Sequence, residues 1–456
     1  VHIFLGDSLV TNDTGVEHHP QNIPDEIGYD RIRDAFRSKS EIAYQGAVQR
    51  LDNKRTHLKQ NPKPADNAAV PEFKRMPPAV WIGPSALTNP CPVTDMEQLS
   101  NRLSKVFSDY PELFNHCVKV YQKRVDYYRL TSEGQKILQP DTAFHITARA
   151  SIKTDGNEVK TEYYRLHVGG INDLPSEDAL IGELHQFAQY MRQKSRAKAV
   201  EDLYIGPVLY EDDAAMELLA RKIADHSHSY WISIRNQSDR KHRYLGKQVF
   251  PPALSVCQLG SDSVYNGVKL LGYRQVDADG TKPMTLPIIE KGILKHMLTG
   301  RTPSLGCPAS TGNEHFDGLS RSLETRYIAG VFHVTSNRPV PYSKLYKRFL
   351  KAAKKAGLEH TYIIRKNRTS PYALIRVDLS TGKEELVEGN YNAPSREQFK
   401  RMHAISKEEN VYNLDPAGGK GLGIISPKAI LLEDMELDIT PSRARHIDEA
   451  FYELRH

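Results

Sequence analysis

Cysteine is scarce in this sequence. Cys91, Cys117, Cys257 and Cys307 are the only four in 456 residues, and no two of them form a CxxC pair. That excludes a zinc ribbon, a thioredoxin-like redox pair and a disulfide-dense scaffold, while leaving the compartment open. Long apolar runs are missing as well: no stretch approaches the ~18–20 residues of a transmembrane helix. Neither sign of charge is in large excess. Sixty-two Lys and Arg stand against 56 Asp and Glu, a net charge of +6. For this length that is mild, and it does not call for nucleic acid or an anionic membrane as partner. HExxH, GxSxG and GxxxxGK[ST] are all absent, which removes the commonest signatures of zincins, serine hydrolases and P-loop NTPases.

What is present is the composition of an ordinary globular protein, 39% hydrophobic and 26% charged, with a length that predicts about two to four domains. The patterning reads as α+β. A mixed sheet-and-helix domain is expected over 1–200, and a β-rich, barrel-like or sandwich domain over 201–456. Val1 to Leu5 already reads as a strand, so a natural N-terminus with a targeting segment is inferred to be missing. The compartment, cytoplasmic or exported, is left open.

Along the chain, Ile27, Ile32, Ala35, Phe36, Ala43, Ala47 and Leu51 recur at helical spacing and predict a helix over 25–60. The proline-containing stretch Asn61 to Phe73 reads as a surface linker. Thr94 and Glu97 predict a capping box, followed by Met96, Leu99, Leu103 and Val106 on one helical face. Phe144, Ile146, Ala148, Ala150 and Ile152 alternate strictly, Asp155-Gly156-Asn157 is a turn signal, and Val159 to Val168 is the expected return strand. Ser176 is placed to cap a helix carrying Leu180, Leu184, Phe187, Ala188 and Met191. Beyond residue 200 the pattern gives a strand, Leu203 to Leu209, a helix near 212–224, and short strands from Lys247 to Phe332. A helix over Tyr342 to Ala356 closed by Gly357 and a turn at Leu379 to Gly382 follow.

The chemistry-bearing residues are sparse. Asp225, His226 and His228 form the nearest approach to a metal cluster. Two His at i and i+2 on a strand share a face and can ligate zinc, but here they follow a helix, and no third ligand is evident. Exposed His at a helix end is the favoured reading. The glycine-rich run Ala417 to Gly423 reads as a loop, because a phosphate cradle needs its amides fixed by a following helix. Nine Lys and Arg over Lys344 to Arg368 read as a solvated helix face, since Tyr346 and Phe349 fall on the apolar side. Cys307 has only His315 nearby as a base and reads as a packed thiol. By themselves these residues define no self-evident active site.

Five segments of the second half carry a resemblance when taken together and in order. They are Gly206-Pro207-Val208-Leu209 with Glu211, Ala214 and Ala215; Leu245 to Phe250 followed by Leu254-Ser255-Val256; Asp277-x-x-Gly280 with Pro283 and Ile289 to Leu294; Ser310-Thr311-Gly312-Asn313; and Ile424 to Pro427 leading to Leu431-Leu432-Glu433. In these the chain resembles the TldD/PmbA family, the "modulator of DNA gyrase" or peptidase U62-like proteins. The N-terminal half, at Leu5-Gly6-Asp7, the helix around Ala43 and Tyr110 to Ser132, resembles a divergent, often exported bacterial branch.

The resemblance implies that active members are zinc metalloproteases with HExxxH on the helix after the G-P-V-L strand, where two His hold the metal and Glu polarises its water. Laid on this chain, the two ligand positions fall on Ala220 and Asp225 and the Glu position on Arg221. Ala has no donor, and the Arg cation opposes a nearby Zn²⁺. The resemblance therefore implies a PmbA-like (TldE-like) companion subunit, zinc-less and non-catalytic. It would form a homodimer, or a heterodimer with a TldD-like subunit, and act on peptides or small unfolded proteins. No catalytic residue and no cofactor is carried over; zinc is the alternative. Gly206, Pro207, Val208 and Leu209, with Ser310, Thr311, Gly312 and Asn313, are candidates for a peptide cleft or subunit interface, through strand addition at an exposed edge. The plainer reading of both groups is that they maintain the fold. Two rival functions are an autonomous metallopeptidase with an unrecognised ligand set and a peptide-binding scaffold. Nucleic acid is not expected.

Overall fold

The structure is a computed structural model. It describes residues 3–12, 28–63, 71–154, 158–227, 244–260, 262–301, 306–316, 325–327, 330–414 and 421–440, without the side chains of 221, 224–227, 315–316, 325–327 and 396. His228 and the 155–157 turn lie outside the described residues.

Of the strand expected at Val1 to Leu5, Val1 and His2 lie outside the described residues and 3–5 are irregular backbone, followed by an isolated Gly6–Thr11 bridge. Helix α1 (Tyr29–Gln60) follows. Its second half buries Ala43, Ala47 and Leu51, as the spacing predicts, but Ile32 and Phe36 in the first half are exposed. Described partners reach only the later turns, where Lys54 pairs with Glu72 at 2.6 Å. Helical periodicity reports that a stripe exists, not how far its cover extends.

The N-terminal sheet holds β1 (Val80–Ile82), β2 (Phe114–Leu130), β3 (Lys136–Lys153) and β4 (Val159–Val168), with β3 in the middle. The predicted hairpin is there: Ile146 pairs with Leu166 and Ala148 with Tyr164. Phe144, Ile146, Ala148 and Ala150 are fully buried, under α2 (Val93–Ser104) and α3 (Glu177–Ser195). Ser176 caps α3 by accepting from the Ala179 amide. The capping box expected at Thr94 and Glu97 is absent. Helix α2 starts two residues earlier, behind Pro92, without a side-chain cap. Proline carries no amide to satisfy and presets the entry, so Thr94 is already inside the first turn.

The second half contains two large sheets. After the short β5 (Lys198–Ala199) come β6 (Asp202–Asp212), helix α4 (Asp213–Ser227), and strands β7 (Leu254–Gln258), β8 (Val264–Tyr265), β9 (Val268–Lys269), β10 (Leu286–Glu290) and β11 (Ile293–Leu294). Strands β12 (Glu314–Phe316), β13 (Thr325–Tyr327) and β14 (Val331–Ser336) lead to helix α5 (Tyr342–Lys355). The chain ends through β15 (His360–Lys366), β16 (Ala373–Asp378), β17 (Glu384–Glu388), helix α6 (Arg396–Lys400), β18 (Met402–Ile405), β19 (Glu409–Leu414), β20 (Leu422–Pro427) and β21 (Ala429–Ile439). One sheet has the order β18-β21-β6-β15-β16-β17-β5, the other β11-β10-β7-β14-β20-β19. Both are open; of the two expectations, barrel-like or sandwiched, no barrel closes among the described residues. Helix α5 ends as predicted, with Gly357 at φ +71°.

The inner strands β21, β6, β15 and β16 are buried on both faces, which is why they carry long apolar runs, while β17 and β5 at the edge do not,. Val208, Tyr362, Ile364 and Ile430 face one core, shared with α4 and the six-stranded sheet. Leu209, Ile363, Ile375 and Leu431 face a second core, completed by Leu184 and Phe187 of α3, Leu345 and Phe349 of α5, and Phe144 and Ile146 of the N-terminal sheet.

Candidate functional site

Strand β6 and helix α4 form the first candidate region. Gly206 sits where β21 shifts register opposite it, between Leu432 and Met435. That irregularity accommodates Pro207, which has no amide for a ladder. The Pro207 carbonyl instead accepts from the Tyr204 hydroxyl at 2.7 Å and the Thr361 hydroxyl at 2.8 Å. A Cβ on Gly206 would stand 2.6 Å from both Tyr204 Oη and Leu358 Cδ1. Val208 and Leu209 are fully buried. From Val208 onward β6 is paired on one side to β15 and on the other to β21, whereas Gly206 is registered with β21 alone. At Val208 and Leu209 strand addition is closed by position: apolar residues on both faces drive that part of the strand to the middle of a sheet, not to its rim.

Helix α4 leaves β6 at Asp213 and is held by Ala215, Leu219 and Ile223, all fully buried. Ala220 packs, partly buried, against the same core. Lys222 donates to the Pro394 carbonyl at 3.0 Å. Asp225 and His226 are on the last turn of α4, and their side chains are not described. Among the described residues, no group of three or more His, Cys, Asp or Glu has the geometry to hold a metal. The HExxxH positions do not fit zinc on donor chemistry, since Ala220 supplies none and Arg221 supplies a cation.

The loop Ser310 to Asn313 forms the second candidate region, and its polar atoms are turned inward. Asn313 is fully buried. Its amide exchanges two hydrogen bonds with Gln258, donating at 2.6 Å and accepting at 3.1 Å. The Thr311 hydroxyl donates to Asn313 Oδ1 at 2.7 Å, and the Ser310 hydroxyl accepts from the Gly312 amide at 3.2 Å. Gly312 has φ +74°, and a Cβ there would lie 2.4 Å from the Lys282 carbonyl oxygen. Only glycine combines that backbone with that contact.

This loop meets a set of residues that sequence reasoning did not single out as a site. Asp277 accepts from the amides of Asp279 and Thr281 at 2.9 Å and of Glu314 at 3.1 Å. Arg129, from β2, pairs with Asp279 at 2.6 Å. Gln135 donates to the Asp279 carbonyl at 2.8 Å, and Gln139 to the Asp277 carbonyl at 2.9 Å. The tip of the β2–β3 hairpin is thereby seated on the 277–281 and 310–314 loops. Burial raises Asp277 to about 7, and burial, followed by the charge of Asp279, raises Glu314 well above the carboxylate range. Asp277 and Gly280 did stand in one of the family blocks. The hairpin residues that meet this loop, Arg129, Gln135 and Gln139, lie more than a hundred residues away, with no local signal.

The two other sequence features resolve plainly. Gly421 and Gly423 pack against Leu271 and Leu270 and run into strand β20, so no helix follows to fix a phosphate cradle; residues 417–420 lie outside the description. Helix α5 buries Leu345, Phe349 and Ala353 and turns its cations outward.

The chain is mixed α/β, with open sheets in this order and a helix leaving strand β6 inside the seven-stranded sheet. Residues 205–333 match the family model described as the PmbA/TldA metallopeptidase C-terminal domain. The fold is similar to that of a candidate modulator of DNA gyrase from Thermotoga maritima, at 14% identity and a TM-score of 0.56, covering 87% of this chain and 83% of that one. It is also similar to TldE from Thermococcus kodakarensis, at 12% identity and a TM-score of 0.53, covering 95% and 88%. A third similar structure is a candidate modulator of DNA gyrase from Bacteroides thetaiotaomicron, at 13% identity and a TM-score of 0.53, covering 88% and 84%. No curated protein matches. The likeness to the TldD/PmbA family is carried by the match over 205–333, and the fold shared with these structures extends over most of the chain.

Proposed function

We propose that this chain is a zinc-less, non-catalytic subunit of the TldD/PmbA type, working with a TldD-like catalytic subunit on peptides or small unfolded proteins. The observation that supports it is the helix after the G-P-V-L strand. Its ligand positions are Ala220 and Asp225, and its base position is Arg221. No proton or water can be handled there as in a metalloprotease. The likeness to TldE favours the companion role over a free-standing peptidase. Gly206 to Leu209 and Ser310 to Asn313 serve this function as framework: they hold the seat of α4 and the seat of the hairpin, and any substrate or partner surface is shaped by them rather than made of them.

The test is metal content of the purified chain after dialysis against a mild chelator. Less than about 0.1 metal per chain is expected; about one zinc per chain would overturn the reading, because a bound structural or catalytic metal resists such treatment. The latter would direct attention to Asp225, His226 and His228. As a check on the alignment, the triple variant Ala220→His, Arg221→Glu, Asp225→His is expected to acquire zinc. A folded variant that stays metal-free would show that those positions do not face a common cleft.

A further inference from the structure

The strict alternation of β3 sends one set of side chains into the core and the other to the opposite face of the N-terminal sheet. Phe144, Ile146, Ala148 and Ala150 belong to the core. His145, Thr147, Arg149 and Ser151 therefore stand on the opposite face, and the register extends that face over three strands. His145 stands between Tyr121 and His167, Thr147 between Lys119 and Arg165, and Arg149 between Cys117 and Tyr163. Side-chain contacts follow these rows. Tyr121 stacks on His145 with ring centroids 4.5 Å apart, the Nδ1 atoms of His145 and His167 are 2.8 Å apart, and so are the hydroxyls of Ser151 and Thr161. Helices α2 and α3 pack on this sheet from the Phe144 side, where Leu103 and Leu184 join the core.

The face has one sign of charge. Cross-strand neighbours of opposite sign stabilise a solvated sheet surface and like charges oppose it, so a surface of cations alone is a departure from what stability favours. Lys119 and Arg165, both exposed, flank Thr147 in one row, and neither has a carboxylate partner among the described residues. Arg149, in the next row, is anchored on Asn115 through its carbonyl, at 3.4 Å, and its side-chain oxygen. The one carboxylate that these three strands place on this face, Asp141, is paired with Lys123 at 3.2 Å.

We propose that this face of the N-terminal sheet, centred on Lys119, Thr147 and Arg165, is a docking surface for an extended acidic segment of a partner polypeptide. Charge complementarity chooses an anion. Lys119 and Arg165 are two strand spacings apart, about 10 Å, and alternate side chains of an extended chain recur on one side every ~7 Å, so Asp or Glu at alternate positions comes within reach of both long cations. Thr147 adds a hydroxyl donor between them. The rings decide against single-stranded nucleic acid, whose bases need open aromatic faces to stack on. Tyr121 lies against His145, and Tyr163 is covered by the Arg165 guanidinium at 4.7 Å. This surface is separate from helix α4, so the proposal stands whether or not the chain holds zinc.

The test is fluorescence anisotropy of a labelled peptide of alternating Glu and Ser, titrated with the full chain at low salt. Binding is expected, and it should weaken as salt is raised toward ~0.3 M, where exposed charges are largely screened. A peptide of alternating Lys and Ser should not bind. Reversing two charges on the face, Lys119→Glu with Arg165→Glu, should weaken binding at least about tenfold, because two attractions become repulsions. The control reverses two exposed charges on helix α5, Lys347→Glu with Lys351→Glu; it changes net charge equally and should leave most of the affinity. No binding of the acidic peptide at low salt overturns the proposal. Equal losses in the two double variants overturn it too, since they would show attraction to net charge rather than to this face. An oligothymidine that binds more tightly than the peptide and is lost with Lys119 and Arg165 would make the surface a nucleic-acid face instead, and would also overturn it. If the double reversal fails to fold, Lys119→Gln with Arg165→Gln removes the same cations without adding repulsion, and unchanged binding by that variant overturns the proposal.

Discussion

At the scale of single residues, two glycines with nearly the same backbone make a controlled comparison. Gly312 and Gly357 have φ of +74° and +71°, but only Gly312 has a carbonyl oxygen, at 2.4 Å, where a Cβ would go; around Gly357 there is nothing within 4 Å. Gly357→Ala is expected to lower stability by about 1 kcal/mol, the cost of a left-handed alanine. Gly312→Ala adds displacement of the Lys282 backbone and should cost about 2–4 kcal/mol. Urea denaturation of the two variants checks this, and equal losses would show that the loop yields freely. Gly357 was legible because a helix pattern ends just before it. Gly312 was legible only as part of a family block. The reason for it, a carbonyl from a residue thirty positions earlier, is a tertiary fact.

At the scale of elements, helix α4 has the most consequence. Leu219 and Ile223 are fully buried on it, so Leu219→Ala should cost about 2–5 kcal/mol through lost burial and the cavity left behind. By contrast, Ser176→Ala removes one cap from α3 and should cost about 1 kcal/mol. Thermal melts of both read the contrast. Elements with strong periodicity were legible from the sequence: β3 with its strict alternation, α3 behind Ser176, and α5 up to Gly357. The start of α2 was not, because Thr94 and Glu97 have the capping-box spacing but Pro92 had already begun the helix. The exposure of Ile32 and Phe36 was not either, since apolar spacing on α1 is silent about which turns are covered. Strand β6 read correctly as a strand. Its place inside the sheet, which removes the peptide edge from Val208 onward, came from pairing with segments some 150 and 220 residues further on.

At the scale of the whole molecule, the cores do not divide where the secondary structure does. The division proposed at residue 200 leaves β5, the edge strand of the seven-stranded sheet, on its N-terminal side, and Phe144, Leu184 and Phe187 share a core with Leu209, Phe349 and Ile375. A fragment of residues 1–200 is therefore expected to lack fixed tertiary structure, with near-ultraviolet circular dichroism lost and a hydrophobic dye bound. A cooperatively melting fragment would show that the N-terminal layer closes its own core. The family resemblance, the α+β class and the strongest helices and strands were determined by the sequence alone. They rest on local spacing and on short ordered blocks, which survive without knowledge of what lies across the chain. The buried ion pair at the β2–β3 tip, the place of β6 inside its sheet and the shared core were decided only by tertiary structure. Burial, pairing and charge balance are properties of neighbours in space, and Arg129 and Asp279 become neighbours only when the hairpin and the loops meet.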